Sequence, residues 1–297
     1  MSAAGPGDGS RLRCVADVLQ AARSAGVARL DAQLLLAHHL DRPRAWLLAH
    51  DNEAIDAVTA QALVNDLNRR VAGEPLAYVI GQQVFCGLVL EVGPDVLIPR
   101  PETEGLVEWA LERLADRQPN EATAAVDLGT GSGAIALAVK QVRPDVAVCA
   151  TDRSHVALAV ARRNAVRLKI DIEWVQGDWW SCLAGRRFAV ALANPPYVAV
   201  ADPHLASLQH EPQSALTPGG DGLGALRSIV LGASNHLLPG GWLLLEHGHD
   251  QPDAVRSLLQ QQGFANVRTR SDLAGLARCS GGQWVGPGAE QRRAVAP

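Results

Sequence analysis

The sequence predicts an α/β fold, with a seven-stranded sheet preceded by a small helical domain and joined to it by a β-hairpin. Three observations carry that expectation. Apolar residues recur at helical spacing over residues 11–72, short apolar runs alternate with helical stretches from Ala124 onward, and the first of those runs ends in a glycine-rich turn.

The bulk numbers agree with such a plan. A chain of 297 residues exceeds one ordinary domain, and 47% hydrophobic with 20% charged residues is an ordinary soluble composition. No apolar run reaches the ~18 residues that a membrane span needs. Residues 1–14 are small and polar, without the apolar centre of a secretory signal, and the five cysteines are scattered and never spaced C-x-x-C. A cytoplasmic chain with reduced thiols is expected. The formal net charge of −4 speaks against electrostatic wrapping of nucleic acid, so a protein or small-molecule substrate is favoured.

In the helical part, Val15, Val18 and Leu19, then Leu34, Leu35 and Leu36, then Trp46 and Leu47 supply apolar faces, with Asp31 and Asp56 as candidate N-caps and Gly26 and Gly73 as candidate stops. Val84 to Val92 is rich in β-branched and apolar residues. Gly93-Pro94-Asp95 offers turn chemistry before Val96 to Ile98, so a hairpin is predicted with its turn there. Residues 102–117 return to helical spacing through Leu106, Val107, Trp109, Ala110, Leu111 and Leu114. Strands are expected at Ala124–Leu128, Val146–Thr151, Ile172–Gln176, Phe188–Ala193 and Trp242–Glu246, with weaker candidates at Asn266–Arg270 and Gln283–Val285. The expected organisation is 1–10 disordered, 11–80 helical, 81–101 a hairpin linker, 102–286 the sheet domain, and 287–297 a disordered tail.

Gly129-Thr130-Gly131-Ser132-Gly133 follows the first strand of the sheet and opens a helix at Ala134. In a doubly wound, Rossmann-like sheet such a loop lies where ligands bind, because glycine lets the backbone approach closely. The spacing is G-x-G-x-G without G-K-[ST], so neither a dinucleotide pyrophosphate nor an ATP phosphate is the expected guest. Asp127 just before the loop would repel phosphate and favour a cationic sulfonium or amino group. Asp152, ending the second strand, can accept both hydroxyls of a ribose, or it can cap the helix beginning near Ser154. After the third strand, Asp178 can accept from an adenine amino group while Trp179 covers the ring; Trp180 reads as core.

The fourth strand delivers Asn194-Pro195-Pro196-Tyr197 to the same sheet edge. Two prolines remove two backbone donors and leave carbonyls that only accept, which suits a substrate NH2 group. An amide nitrogen is a poor nucleophile because its lone pair is delocalised. Accepting its two hydrogens at the Asn194 side chain and the Pro195 carbonyl aims that lone pair at a methyl donor, and Tyr197 packs on the planar acceptor. Rate then comes from positioning, without a strong base. His247 and His249 follow a strand without a third ligand in register, so loop packing is expected of them and no metal site.

With Arg70-x-x-Gly73-x-Pro75-x-x-Tyr78, Ile98-Pro99-Arg100-Pro101-Glu102-Thr103-Glu104, Gly219-Gly220-Asp221-Gly222-Leu223 and Leu244-Leu245-Glu246-His247-Gly248, these motifs resemble the HemK-type release factor glutamine methyltransferases from about residue 11 to 285. The resemblance implies a Rossmann-like methyltransferase sheet and S-adenosyl-L-methionine as cofactor. It also implies N5-methylation of the glutamine in the Gly-Gly-Gln motif of class 1 release factors, with the helical domain gripping that protein. By the same resemblance Gly129 to Gly133 contact the methionine part, Asp152 the ribose, Trp179 the adenosine region, and Asn194 to Tyr197 the glutamine. No direct nucleic acid or membrane contact is expected, and the expected state is a monomer. Arg100 and Glu102 suit either an ion pair that steadies the hairpin and the following helix or a place beside the substrate channel. A ribosomal-protein glutamine methyltransferase shares nearly every motif. A DNA adenine methyltransferase fits less well, with no target-recognition domain or basic excess in view.

Overall fold

The computed structural model describes residues 12–116 and 124–286, so the two expected disordered ends and Arg117 of the predicted helix lie outside the described residues. The chain divides into two compact units, one up to Gln82 and one from Gln83.

The first unit is helical: α1 (Val15–Ser24), α2 (Arg29–Leu40), the short α3 (Arg44–Leu47), α4 (Ala57–Val71) and α5 (Leu76–Ile80). Val15, Val18, Leu35, Leu36, Leu63 and Leu67 meet in its core. Asp56 caps α4 as expected, accepting from Val58 N–H and Thr59 N–H. Asp31 is no cap; it lies inside α2 and pairs with Arg70 at 2.7 Å, so the start of α2 and the end of α4 are joined by an ion pair. Gly26 and Gly73 each follow a helix end with positive φ, 79° and 89°, where glycine carries no Cβ penalty.

The second unit begins with the hairpin β1 (Gln82–Phe85) and β2 (Leu88–Glu91). Its turn is Cys86-Gly87, with φ of 46° and 74°, and Gly93-Pro94-Asp95 lies beyond it in loop, as do Val96 to Ile98. The expected turn position is corrected for a physical reason. A type I′ hairpin turn needs positive φ at both central residues, as Cys86 and Gly87 supply, and proline fixes φ negative. Phe85, Leu88 and Leu90 of the hairpin join the core of the sheet domain.

A 3₁₀ turn at Pro101–Thr103 leads into α6 (Glu104–Ala115). Then follow β3 (Ala124–Leu128), α7 (Ala134–Val142), β4 (Ala147–Asp152), α8 (His155–Leu168), β5 (Glu173–Gln176) and β6 (Phe188–Ala193). The rest is α9 (Gln213–Leu216), α10 (Gly224–His236), β7 (Leu237–Glu246), α11 (Pro252–Gln261), β8 (Phe264–Ser271) and β9 (Ala277–Trp284). The sheet is seven-stranded in the order β5-β4-β3-β6-β7-β9-β8. From β5 to β7 all neighbours are parallel, and β9 runs antiparallel to both β7 and β8. The weak strand candidates near 266 and 283 are these last two, longer than expected.

Both faces are covered, which is why β6 is apolar at every position and β3 and β4 are apolar but for Asp127, Thr151 and Asp152 near their carboxyl ends. Trp242 and Leu244 of β7 face the α6–α7 side, Leu243 and Leu245 the α10–α11 side. Register aligns the carboxyl ends: Leu128 pairs with Thr151 and with Ala193, and Ala193 with Leu245. Gly129, Asp152, Asn194 and Glu246 therefore end up together, around the switch point between β3 and β6 where the strand order reverses. Among the described residues no helix is long and apolar enough to cross a membrane.

Candidate active site

At that edge lies a cavity of about 470 Å3, lined by Gly129, Gly131, Asp152, Asp178, Trp179, Asn194 and Pro196 together with loop residues 94–97 and the stretch from Pro212 to Ser228. The glycine loop divides into residues that face it and residues that build it. Gly129 and Gly131 line the cavity, with φ of 75° and 57°. A Cβ on Gly129 would stand 2.9 Å from the Trp179 ring, so the absence of a side chain there lets the indole close on the loop. Thr130, Ser132 and Gly133 stand behind. Thr130 gives its hydroxyl to Asp127, the Ser132 carbonyl accepts from Asn164, and a Cβ on Gly133 would press on Leu137, Trp174 and Ala161.

Asp127 turns away from the cavity. It is buried, takes the Thr130 hydroxyl at 2.5 Å and Ala136 N–H at 3.3 Å, and so ties the loop to the start of α7. Burial pushes its pKa up to about 7 against those two hydrogen bonds, and Oδ1 is left without a partner among the described residues. The expected role of attracting a cationic ligand is thereby corrected to one of building the loop.

Asp152 does face the cavity. Its Oδ2 accepts from Gly131 N–H at 2.9 Å and its Oδ1 from Ser154 N–H at 2.8 Å, which fixes the carboxylate plane while each oxygen keeps acceptor capacity. Burial raises its pKa. The cap of α8 is Ser154, whose Oγ accepts from Ala157 N–H, so Asp152 is not needed as a cap. Trp179 adopts φ of 46°, whereas Trp180 is core: its Nε1 donates to the Ile229 carbonyl and its ring stacks on His236.

The Asn194-to-Tyr197 loop is held from three sides. Asn194 Nδ2 donates to Thr103 Oγ1 at 3.2 Å, and the Tyr197 hydroxyl donates to Glu246 Oε1 at 3.2 Å. The Tyr197 carbonyl accepts from Gln251 Nε2 at 3.0 Å. Burial pushes the Tyr197 phenol well above its ordinary range, so it stays protonated and donates. Glu246 is buried and its pKa is raised to about 7, burial prevailing over the Thr103 and Tyr197 hydroxyls.

Arg100 and Glu104 tie loops together. Arg100 pairs with Glu211, whose other oxygen takes Ile98 N–H at 3.0 Å, and Glu104 accepts Cys86 N–H at 2.7 Å. The steadying ion pair is thus made with the loop after β6. Glu102 lies by a separate surface hollow with Glu108, Glu112 and Arg270. His247 is buried between the Gly248 carbonyl and Ser280 Oγ, with its pKa lowered by burial. Among the described residues no cluster of His, Cys, Asp and Glu could hold a metal. Sequence reasoning assigned no role to Thr103, Asn164 or Gln251. Each stands among charged neighbours in the sequence, so nothing local marks it out.

The mixed, largely parallel sheet, its carboxyl-edge cavity and the loop after β6 define a Rossmann-like methyltransferase. Residues 12–81 match the PrmC N-terminal domain and residues 107–225 the methyltransferase small domain. A release factor glutamine methyltransferase of Bordetella pertussis is 48% identical over 86% of this chain and 95% of that protein, and one of Burkholderia pseudomallei is 47% identical over 89% and 95%. The chain belongs to the release factor glutamine methyltransferase family. Among solved structures, the hMettl16 catalytic domain superimposes with a TM-score of 0.54 at 14% identity, covering 75% of this chain and 79% of that one, which is a likeness of fold.

Proposed function

We propose that this chain transfers a methyl group from S-adenosyl-L-methionine to the side-chain amide nitrogen, N5, of the glutamine in the Gly-Gly-Gln motif of class 1 release factors. The observation that carries the reading is that Asp152 and Asn194 line one cavity, so that a ribose-accepting carboxylate and an amide-accepting asparagine act on the same space.

The cosubstrate, when bound, supplies an electrophilic methyl on a sulfonium. Asp152 receives the ribose hydroxyls, Trp179 and Asp178 meet the adenine, and the backbone of Gly129 and Gly131 meets the methionine part. Thr130, Ser132 and Gly133 keep that backbone in shape from behind. Asn194 Oδ1 and the Pro195 carbonyl accept the two hydrogens of the acceptor amide, Pro196 offers no competing donor, and Tyr197 packs on the amide plane and excludes water. The amide's lone pair is then directed and desolvated without a strong base; formation of the N–C bond would break the S–CH3 bond, leaving the neutral thioether S-adenosyl-L-homocysteine, and the nitrogen would give up one of its two hydrogens to solvent.

Residues 11–80 serve as the substrate-binding domain that grips the release factor, in a cytoplasmic enzyme acting as a monomer without contact to nucleic acid or membrane. The test is incubation with labelled S-adenosyl-L-methionine and, in separate tubes, a release factor, its Gln-to-Ala version, a ribosomal fraction or duplex DNA. Label is expected on the release factor and lost with the glutamine. Label confined to DNA or to the ribosomal fraction would overturn the reading. Asn194→Ala is expected to abolish transfer with cofactor affinity retained, and retained turnover would remove the acceptor role.

A further inference from the structure

We propose that Gln251 is a positioning residue for the transfer: its side-chain amide clasps the main chain of the acceptor loop at Tyr197 and so holds Asn194 and the Pro195 carbonyl in place against the acceptor nitrogen. The inference rests on the proposed function and deepens it. It also gives a place to two glycine-bearing motifs, Gly219-Gly220-Asp221-Gly222-Leu223 and Leu244-Leu245-Glu246-His247-Gly248, whose glycines meet at this clasp.

Gln251 occupies the N-cap position of α11, yet its side chain makes no capping bond to that helix. It turns instead to two loops. Oε1 accepts from Gly248 N–H at 2.9 Å, and Nε2 donates to the Tyr197 carbonyl at 3.0 Å. A carboxamide has a donor end and an acceptor end of nearly equal size, so its orientation follows from its partners. Both partners here are backbone groups of fixed sense, a donor at one end and an acceptor at the other. Only one rotation satisfies both; the reversed amide would set donor against donor and acceptor against acceptor. The fit leaves little room, since a Cβ on Gly222 would stand 3.0 Å from Nε2 and a Cβ on Gly248 would stand 3.2 Å from Oε1.

The clasped peptide is bonded on its other side as well. Val198 N–H, which shares a peptide unit with the Tyr197 carbonyl, donates to the Leu216 carbonyl at 3.0 Å. Leu216 ends α9, and its neighbours Ala215 and Thr217 line the cavity. A third hold is the Tyr197 hydroxyl on Glu246 Oε1. Between this peptide and Asn194 stand Pro195 and Pro196, whose rings fix φ. The segment is short and stiff, so a shift of the Tyr197 carbonyl passes back to the Pro195 carbonyl and to Asn194 instead of being absorbed between them. Misplacing reacting groups by about 1 Å can cost about 100-fold in rate. Of the three holds, the bond from Gln251 is the one in which a distant side chain grips the main chain, so substitution removes it without altering the loop's own residues.

The experiment uses the full chain with labelled S-adenosyl-L-methionine and a release factor, and reads kcat, KM for the release factor, cofactor Kd and thermal midpoint. Gln251→Met keeps the length and removes both hydrogen bonds. It is expected to lower kcat by about 10-fold or more, with cofactor Kd and release-factor KM within about threefold of wild type. Gln251→Glu keeps an acceptor for Gly248 N–H but, when ionised, sets an oxygen against the Tyr197 carbonyl; protonated, it donates there as Nε2 does. Its kcat relative to wild type is therefore expected to be low at about pH 8 and to rise toward about pH 5, as the carboxyl takes up a proton. The same ratio for Gln251→Met is expected to stay flat. A residue that merely steadied the fold would lower the thermal midpoint and leave both kcat and this pH contrast untouched. Gln251→Met turning over within about threefold of wild type, a cofactor Kd that rises as far as kcat falls, or a Gln251→Glu ratio that does not move with pH each overturn the inference. Should Gln251→Met fail to fold, Gln251→Glu decides by the same pH criterion. A wild-type chain that leaves the release factor unlabelled sinks the functional reading and the clasp with it, whereas a labelled release factor with a fast Gln251→Met sinks the clasp alone.

Discussion

Gly222 and Tyr197 meet so closely that a Cβ on Gly222 would stand 2.3 Å from the Tyr197 carbonyl oxygen, the same oxygen that accepts from Gln251. Gly222 also has φ of 81°. Gly222→Ala therefore combines backbone strain with a clash against the loop that carries Asn194. Gly275, with the same φ and open space around its Cβ position, supplies the strain alone. Gly275→Ala should cost about 1 kcal/mol and leave turnover unchanged. Gly222→Ala should cost more and lower kcat by about 100-fold, because a displacement of about 1 Å at the acceptor is enough for that. Chemical denaturation and methyl-transfer kinetics on both variants check it; equal effects would mean that the close approach has no consequence for the loop.

Asn164 is buried in α8 and joins three segments. Its Oδ1 takes Glu91 N–H, and its Nδ2 serves both the Glu91 and Ser132 carbonyls. Hairpin and glycine loop are thus held through one side chain. Asn164→Leu should destabilise the chain by about 2–4 kcal/mol, since it leaves a donor and two acceptors unanswered. Cofactor affinity should fall with it, because Ser132 supports the loop from behind. A denaturation midpoint and a cofactor titration read both effects, and a stability loss without any change in affinity would confine Asn164 to the hairpin.

The succession of strands along the chain, the glycine loop and the placing of Asp152, Trp179 and Asn194 at one edge were legible because parallel strands read as short apolar runs and ligand loops as glycine punctuation. Three features were not legible, each for a physical reason. In a strand buried on both faces the alternation that reveals direction is lost, so nothing in the sequence told that Asp127 points into the core. Cys86 offers no composition signal for the positive φ it adopts, whereas Gly93-Pro94-Asp95 offers a strong one for a turn. Asp31 has the residue type of a cap but a distant partner, Arg70, which spacing along the chain does not reveal.

Glu246 has an ordinary pKa of 4.5 and is held at about 7 by burial. The folded chain then keeps a proton that the unfolded chain releases, so stability is full below about pH 4.5 and declines as pH rises toward 7. The whole decline is on the order of 3 kcal/mol for this one group. Asp127, also raised to about 7 by burial, acts in the same direction. Asp145 and Asp221, lowered to about 2 by hydrogen bonds from Arg143 and Arg227, act with opposite sign at lower pH and leave this window alone. Glu246→Gln should therefore gain on wild type as pH is raised through the window, read from denaturant midpoints at several pH values; a difference independent of pH would overturn it. The ionised form that the Tyr197 hydroxyl addresses is the form whose burial is costly, a local loss of stability retained beside the candidate site.

Asp152 supports a prediction that ordinary conservatism would miss. Its two oxygens each accept one backbone N–H, from Gly131 and from Ser154. Asp152→Asn keeps the size, yet whichever way its amide turns, Nδ2 faces one of those two donors. The amide must rotate out of plane or push the glycine loop away, and the acceptors offered to a ribose are disturbed along with it. Cofactor Kd should rise by about 10- to 100-fold, the measure of lost hydrogen bonds to a charged group, and Asp152→Ala should be little worse. Isothermal titration with S-adenosyl-L-methionine checks this, with the Trp179 indole as an independent reporter, since Trp179 lines the same cavity. An Asp152→Asn chain that binds the cofactor within about threefold of wild type would show that the carboxylate serves the loop and not the ligand.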